Sequence, residues 1–151
     1  MKEVEVDAMP LGTHLARVDG DRVFVQLRGK LTAADVQGLY ELGMSVKRKN
    51  PHVFVLYDGQ LGTGIDPDGR KSVPKEQRDF VADLRVVYGL SFAARVILNM
   101  LIRTQKTLFN RDLHAYIFDD EQTARTFFEQ ECHRIRSGTR SNTRVNTPPR
   151  E

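Results

Sequence analysis

The chain has 151 residues, of which 40% are hydrophobic and 28% are charged. These values fit one globular domain with an ordinary apolar core, and they exclude a transmembrane helix because no apolar run approaches the roughly 20 residues that span a bilayer. The N-terminal stretch MKEVEVDAMPLG lacks the apolar core of a secretory signal, and the single Cys132 cannot form an internal disulfide, so we predict a cytoplasmic protein.

The positive charge is concentrated at the C-terminus. Residues 134–151 contain five arginines and one glutamate, a net charge of +4, whereas the whole chain carries +3, so residues 1–133 carry −1. A nucleic-acid surface needs a basic face on the fold itself. We therefore expect no nucleic-acid partner except through this Arg-rich tail.

The first predicted elements are an antiparallel hairpin and a helix. Residues 13–29 form two β-rich runs around Asp19-Gly20, a dipeptide that favours a tight turn. After it, Thr32 is in the position of a helix cap, with Asp35 three residues later. The cations of residues 47–49 suit the last turn of this helix, and Asn50-Pro51 ends it.

The middle of the chain predicts a central strand, a long loop and a second helix. The strand covers residues 52–58, HVFVLYD, which is apolar on both alternating faces. The loop is YDGQLGTGIDPDGRKS, residues 57–72. A helix is then expected to start near Pro74, with an amphipathic stripe formed by Phe80, Val81, Leu84, Val87 and Tyr88.

The last third predicts two further strands and two further helices. ARVIL, residues 94–98, is expected to be a short buried strand, and NMLIRTQKTLFN a short helix after it. Residues 114–118, HAYIF, are the last predicted strand. The final helix is expected to be capped by Asp119, with Gln122 completing a capping box. Its apolar face places Cys132 in the core and comprises Ala124, Phe127, Phe128, Cys132 and Ile135.

Alternating strands and helices of this kind imply an α/β fold, a mainly parallel sheet of about five strands with an N-terminal antiparallel hairpin and flanking helices. We predict three regions: an N-terminal extension over residues 1–12, the domain over 13–136, and a disordered basic tail over 137–151. The tail has almost nothing apolar to bury, so ordering it would not be offset.

The order of elements, together with GKLTAAD, VFVLYD, ARVIL and AYIFDDEQTARTFF, resembles the STAS domain family of the SpoIIAA-like type over roughly residues 13–133. This resemblance implies a non-catalytic regulatory domain that docks a partner protein. It also implies a relationship to lipid-binding CRAL-TRIO folds. In the antagonist branch of the family, a Ser or Thr directly after an Asp, at the start of the helix after the central strand, is phosphorylated.

The phosphorylation motif of that branch is missing from this chain. No Asp in the sequence is followed by Ser or Thr. Thr63 and Ser72 remain as hydroxyls in the corresponding region and are the candidates for phosphorylation, since a phosphate at Ser72 would meet a helix N-terminus. Alternatively, Ser72 is simply the cap of that helix.

The long loop leaves the carboxyl end of the central strand, where open parallel sheets tend to bind ligands. Its GTG lacks the ending of a P-loop, and its DPDG lacks the distal ligands of a calcium loop, so a plain β-turn at Pro67, Asp68 and Gly69 is the better interpretation. We predict no metal site and no cofactor. The partner-binding residues predicted in this segment are Asp58, Gly62, Thr63, Asp66, Asp68 and Ser72.

Catalysis is not predicted, because the four histidines are scattered and no nucleophile elbow, acid pair or metal-spaced pair is present. The predicted function is a protein-interaction or regulatory module, and the alternative is a domain of the same fold that binds a small ligand or a lipid. NMLIRTQKTLF has more apolar residues than a short surface helix easily buries. They either pack on the sheet or form a homodimer or partner surface.

Overall fold

The computed structural model describes residues 9–76 and 82–138, with backbone only for 74–76. Within these ranges six strands form one sheet and four helices pack on it. The strands are β1 Met9–Leu11, β2 His14–Asp19, β3 Arg22–Leu31, β4 Phe54–Ile65, β5 Leu84–Tyr88 and β6 Ala115–Phe118. The helices are α1 Ala33–Lys49, α2 Pro67–Glu76, α3 Phe92–Phe109 and α4 Glu121–Arg136.

The strands lie in the sheet in chain order, β1 to β6. The pairs β1/β2 and β2/β3 are antiparallel, and β3/β4, β4/β5 and β5/β6 are parallel. The predicted fold class, a mainly parallel sheet that begins with an antiparallel hairpin, is therefore confirmed. Strand β1 lies within the stretch predicted to be an N-terminal extension, and residues 139–151 of the predicted tail lie outside the described residues.

The helices divide between the two faces of the sheet. Right-handed connections between successive parallel neighbours place the connecting helices on one face, and residues of α1, α2 and α3 do face the same side of β3, β4 and β5. Helix α4 follows the last strand and packs on the opposite face. There Phe128, Cys132 and Ile135 join Phe54 and Leu84 in a closed apolar core.

The first two elements form where local signals predict them. Asp19 pairs with Arg22 across the hairpin turn, and Gly20 has a φ of 64°, which a glycine adopts without strain. Thr32 accepts a bond from the Asp35 amide at 3.2 Å, and the Asp35 carboxylate accepts one from the Thr32 amide at 3.0 Å. This reciprocal capping box confirms the predicted start of α1.

The predicted loop over residues 57–72 is wrong. Strand β4 continues to Ile65, because β3 extends in parallel beside it to Leu31 through two register shifts. Helix α2 then begins at Pro67, well before the expected start near Pro74. The hydrogen bonds that keep this glycine-rich segment extended are made with β3, which is distant in sequence. The local sequence therefore does not predict them.

Two assignments in the second half exchange helix and strand. Leu84, Val87 and Tyr88, expected on a helical stripe, belong to β5, and residues 94–98, expected to be a strand, belong to α3. A short continuous apolar run fits the period of a helix and that of a strand equally well. Residues 84–88 form a strand that is buried on both faces, and residues 94–98 belong to the helix that Ser91 caps. Phe80 and Val81 lie outside the described residues.

The end of the chain follows the prediction with one shift. Strand β6 and helix α4 are where they were expected, but the cap of α4 is Asp120, which accepts the Thr123 amide at 2.9 Å, and not Asp119. Cys132 is fully buried, which confirms its core interpretation, and this burial raises the pKa of its thiol to about 12.

Candidate functional site

The three aspartates of the predicted binding segment serve local structure. Asp58 accepts the Gln60 amide at 3.0 Å within β4. Asp66 accepts the Gly69 amide at 2.7 Å, and its carbonyl accepts the Arg70 amide, so Asp66 caps α2. Asp68 is exposed in the first turn of that helix. The structure thus corrects the predicted β-turn at residues 67–69, which is the first turn of α2.

The hydroxyls of this segment do not lie at a helix N-terminus. Thr63 is exposed within β4. Ser72 is inside α2, where its Oγ donates to the Asp68 carbonyl at 3.2 Å, so the prediction that it caps the helix is wrong. A phosphate on Ser72 would therefore not meet the free amides of the first turn of α2. Gly62 faces the helices and lines a cavity described below.

One charged cluster does lie at the carboxyl edge, on the α4 face. Arg125 donates to Glu121 at 2.7 Å and to the Tyr88 hydroxyl at 3.5 Å. Burial, followed by the nearby Asp58 carboxylate, raises the pKa of Tyr88 to about 12. The phenol therefore stays protonated at neutral pH, and the cluster ties α4 to β5 without offering a base.

The histidines lie at different ends of the sheet, and His14, beside the carboxyl end of β3, is engaged in a buried contact. His14 is buried, accepts the Arg28 amide at Nδ1 at 2.9 Å, and lies with Nε2 3.1 Å from Asp35. His52 and His114 precede β4 and β6, at the amino end of the parallel strands. Within the ranges that the structure describes, no group of three or more His, Cys, Asp or Glu side chains could hold a metal ion.

A partly open cavity of about 180 Å³ lies between the sheet and helices α1, α2 and α3. Its walls are predominantly apolar and include Val55 and Val87 from the sheet, Leu39 from α1, and Leu98 and Leu101 from α3. Sequence reasoning missed this cavity, because the residues around it come from elements that are far apart along the chain and two of those elements were assigned the wrong structure.

Polar groups in the cavity come from the centre of the sheet. Arg85 of β5 and Tyr57 of β4 both line it. The Arg85 guanidinium donates to the Leu113 carbonyl at 3.0 Å and lies close enough to Tyr57 to interact with it. Burial lowers the pKa of Arg85, and the nearby Tyr57 raises it in part. A charged residue inside the apolar run LRVVY was the available sequence signal.

The outer surface of α3 exposes apolar side chains. Phe92, Val96 and Met100 follow one another at intervals of four residues and are 82%, 42% and 59% exposed. Residues four apart are neighbours on a helix surface, so the three form one stripe. Leu108 and Phe109 extend the exposed apolar area at the helix end. In residues 99–109, where an excess of apolar residues was predicted, Met100, Leu108 and Phe109 are exposed, so part of that excess does not pack on the sheet.

The same helix carries only cationic charge. Its sequence contains Arg95, Arg103 and Lys106 and neither Asp nor Glu. Arg95 bonds to Asp119 of the following connection, whereas Arg103 and Lys106 are exposed. We call the exposed side of α3, comprising Phe92, Val96, Met100, Arg103 and Lys106, the α3 outer face. In the described part of the chain, no helix is both long enough and apolar enough to cross a bilayer.

No family model matches the sequence, and no curated protein matches it. Among solved structures, the chain is similar to the anti-sigma factor antagonist SpoIIAA in its unphosphorylated form. The two are 14% identical, the alignment covers 79% of this chain and 93% of that chain, and the TM-score is 0.43.

Proposed function

We propose that this chain is a non-catalytic protein-interaction module that docks an acidic, amphipathic segment of a partner protein through the α3 outer face. The observation that carries the proposal is the exposed apolar stripe of Phe92, Val96 and Met100. Full burial of one such side chain is worth roughly 1.5–3 kcal/mol. A stripe of three on a helix that the fold already holds in place is a preformed anchor.

The charge of the α3 outer face selects the chemistry of the partner. Arg103 and Lys106 are exposed beside the apolar stripe, and α3 has no acidic residue. A complementary surface is one with apolar anchors flanked by Asp or Glu, and such electrostatic matching governs specificity and association rate more than affinity. Binding should therefore weaken as ionic strength rises, because these charges are solvent-exposed.

Site-specific photo-crosslinking inside cells tests this proposal. A photo-reactive amino acid at Val96 should yield adducts with an acidic, amphipathic segment of one protein, and Met100→Glu should abolish them. The matched control is the same photo-reactive residue at Leu61, which is 58% exposed but lies on β4. Adducts at Val96 that map to this chain itself, or to lipid, or that match those at Leu61, would overturn the proposal.

The segment over β4 and α2 remains a proposed secondary contact. It comprises Asp58, Gly62, Thr63, Asp66, Asp68 and Ser72. Asp68→Ala is the clean test here, since Asp68 is exposed, whereas Asp66→Ala would remove the cap of α2 and confuse folding with binding. A loss of partner adducts in Asp68→Ala would place this segment in the interface, and unchanged adducts would remove it.

Phosphorylation at Thr63 or Ser72 is proposed only as a modification of that segment. The exposure of Thr63 supports access by a partner kinase, while Ser72 lies within a helix. Intact-mass measurement of the chain isolated from its own cells, followed by peptide mapping, decides the matter. A phosphate on either residue supports the switch, and an unmodified chain under all growth conditions contradicts it.

A further inference from the structure

Helix α4 leaves part of the sheet uncovered on its own side. It packs on β4, β5 and β6, and its apolar core meets β3 at Phe24. Along β2 and β3 the side chains alternate between the two faces of the sheet. Those that face α1 are buried, whereas four on the α4 side are half-buried or exposed: Leu15, Arg17, Gln26 and Arg28. We call the surface formed by these four residues the open sheet face.

The two arginines of the open sheet face are held in place without a carboxylate. The Arg17 guanidinium carbon lies 4.3 Å from the centre of the Phe24 ring. The Arg28 guanidinium donates through Nε and Nη2 to the Oε1 of Gln26 at 3.0 and 2.7 Å. In the described part of the chain neither arginine forms an ion pair. By contrast, Arg22 at the hairpin end of the same side pairs with a carboxylate of α4 at 2.6 Å.

The aspartates on this side of the sheet do not balance that charge. The Asp58 carboxylate accepts the Gln60 amide at 3.0 Å and lies near Tyr88, towards β5. Asp19 lies in register with Arg22 at the hairpin turn. The open sheet face therefore presents two guanidiniums that are ordered but not paired with a carboxylate. A guanidinium fixed in this way loses little freedom when it binds a planar carboxylate.

The two guanidiniums follow one line along β3. That of Arg17 lies over Phe24 and that of Arg28 is bonded to Gln26, two positions on one face of a strand that are about 7 Å apart. An extended peptide repeats its side chains on one face at the same interval. We infer that the open sheet face binds an extended acidic segment of a partner protein, in which Asp or Glu alternates with other residues and successive carboxylates pair with the two guanidiniums.

Charge alone would also admit nucleic acid or the acidic N-terminus of this chain. Binding of a single strand of nucleic acid relies on aromatic rings on which its bases stack. Among the described residues of this face the available ring is Phe24, which is covered by Arg17 and packs edge-on against Phe128 at 6.0 Å. As for the N-terminus, Met9 pairs with Ala16, so the chain enters β1 from the hairpin end of the sheet, away from Arg28. An acidic segment of another protein fits the face best.

Nuclear magnetic resonance titration of the isotope-labelled full-length chain tests the inference. The probe is a terminally blocked peptide in which Glu alternates with Ser. Its matched controls are the same peptide with every Glu replaced by Gln, and a peptide of the same composition whose Glu residues are consecutive. The alternating peptide should shift the signals of the open sheet face, bind roughly tenfold more tightly than the uncharged control because both ion pairs are available to it, and bind more tightly than the consecutive control. Its binding should weaken between about 0.01 M and about 0.15 M salt.

Three results of this titration would overturn the inference. Equal affinity for the alternating and uncharged peptides would show that carboxylates are not recognised. Equal affinity for the alternating and consecutive peptides would show that the spacing of the guanidiniums has no role. Shifts confined to α3 or to residues 139–151 would place the contact elsewhere.

Two variants locate the contact. Arg17→Gln and Arg28→Gln should each weaken binding of the alternating peptide roughly threefold, the effect of one exposed ion pair. The matched control Arg48→Gln, on the exposed end of α1, should leave binding unchanged. Wild-type affinity in both Arg17→Gln and Arg28→Gln contradicts the site. If either variant fails to fold, the comparison of the three peptides still decides.

Two further measurements identify a different occupant. If deletion of residues 1–8 tightens binding of the alternating peptide, the acidic N-terminus of this chain occupies the face, and the inference of a foreign partner is overturned. Tighter binding of a short oligothymidylate than of the alternating peptide would assign the face to nucleic acid and overturn it equally.

This inference stands apart from the proposed docking of α3. The α3 outer face lies on the opposite side of the sheet from the open sheet face. Met100→Glu should therefore leave binding of the alternating peptide unchanged while it removes the crosslinks at Val96, and Arg28→Gln should leave those crosslinks unchanged. Loss of one readout without the other distinguishes failure of the open sheet face from failure of the α3 outer face.

Discussion

Gln105 provides a sharp test of how the buried side of α3 is packed. Its side chain is 0% exposed, and neither its Oε1 nor its Nε2 has a hydrogen-bond partner within the described part of the chain. Its main chain has a separate role, because the Gln105 carbonyl accepts the Arg111 amide at 2.9 Å and ends the helix. A substitution that keeps the backbone therefore changes only the buried amide.

Gln105→Met should stabilise the protein by about 1–3 kcal/mol, the cost of leaving a buried polar group unsatisfied. Methionine is also unbranched and flexible, so it can fill the same space without strain. For a chain of this size each kcal/mol corresponds to a rise in melting temperature of roughly 2–4 °C.

The assay is urea unfolding followed by circular dichroism, with the slope of free energy against urea compared between variants. The matched control is Gln130→Met on α4, where the glutamine is exposed, and a change within about 0.5 kcal/mol is expected there. If Gln105→Met instead lowers the free energy of unfolding by about 1 kcal/mol or more, the loss expected for one removed hydrogen bond, the reasoning is refuted. Such a loss would show that the Gln105 amide has a partner in solution.

Three further outcomes follow from local contacts. Thr32→Ala removes the oxygen that caps the Asp35 amide and should lower the free energy of unfolding by about 1 kcal/mol in urea titration, whereas Thr32→Ser should not. Burial raises the pKa of the Cys132 thiol from 9.0 to about 12, so this thiol should resist alkylation at pH 8, and rapid labelling of the native protein would contradict its burial. The free energy of unfolding should also fall as pH rises from 9.0 towards 12, because the thiol ionises first in the unfolded chain. Arg136 lowers the pKa of Asp21, so the stability from this pair is present above the unfolded value near 3.8 and is lost as pH falls through the folded value. Arg136→Met should flatten that acid limb, and an unchanged limb would mean that the pair forms only weakly in solution.

The elements that the sequence predicted correctly have short-range causes. The hairpin depends on Asp19-Gly20, and α1 depends on Thr32 and Asp35, residues that bond to each other across three positions. Helix α4 has an uninterrupted apolar stripe, and its predicted cap differs from the observed one by a single residue. For the hairpin, α1 and the cap of α4, the bonded partner lies within a few residues, so that local pattern and final structure agree.

The errors fall where the partner is distant in sequence. Residues 59–65 became a strand because β3 pairs with them, and residues 94–98 became a helix because they continue the turn that Ser91 begins. The predicted binding residues consequently divide. Asp58 bonds to a backbone amide within β4, Asp66 caps α2 and Ser72 bonds within it. Gly62 faces the cavity, while Thr63 and Asp68 are exposed.

The class of fold is predictable from the sequence, since the alternation of apolar strands with capped, amphipathic helices leaves few arrangements other than a mainly parallel sheet. The sequence also indicates that residues 99–109 hold more apolar surface than the sheet needs. The exposure of that surplus and the position of Arg85 in the cavity become visible only in the tertiary structure. The exposure of α3 and the cavity beneath it both depend on how closely three helices approach one face of the sheet. That distance is set by the packing of side chains from all of these elements together, so no short segment of the sequence predicts it.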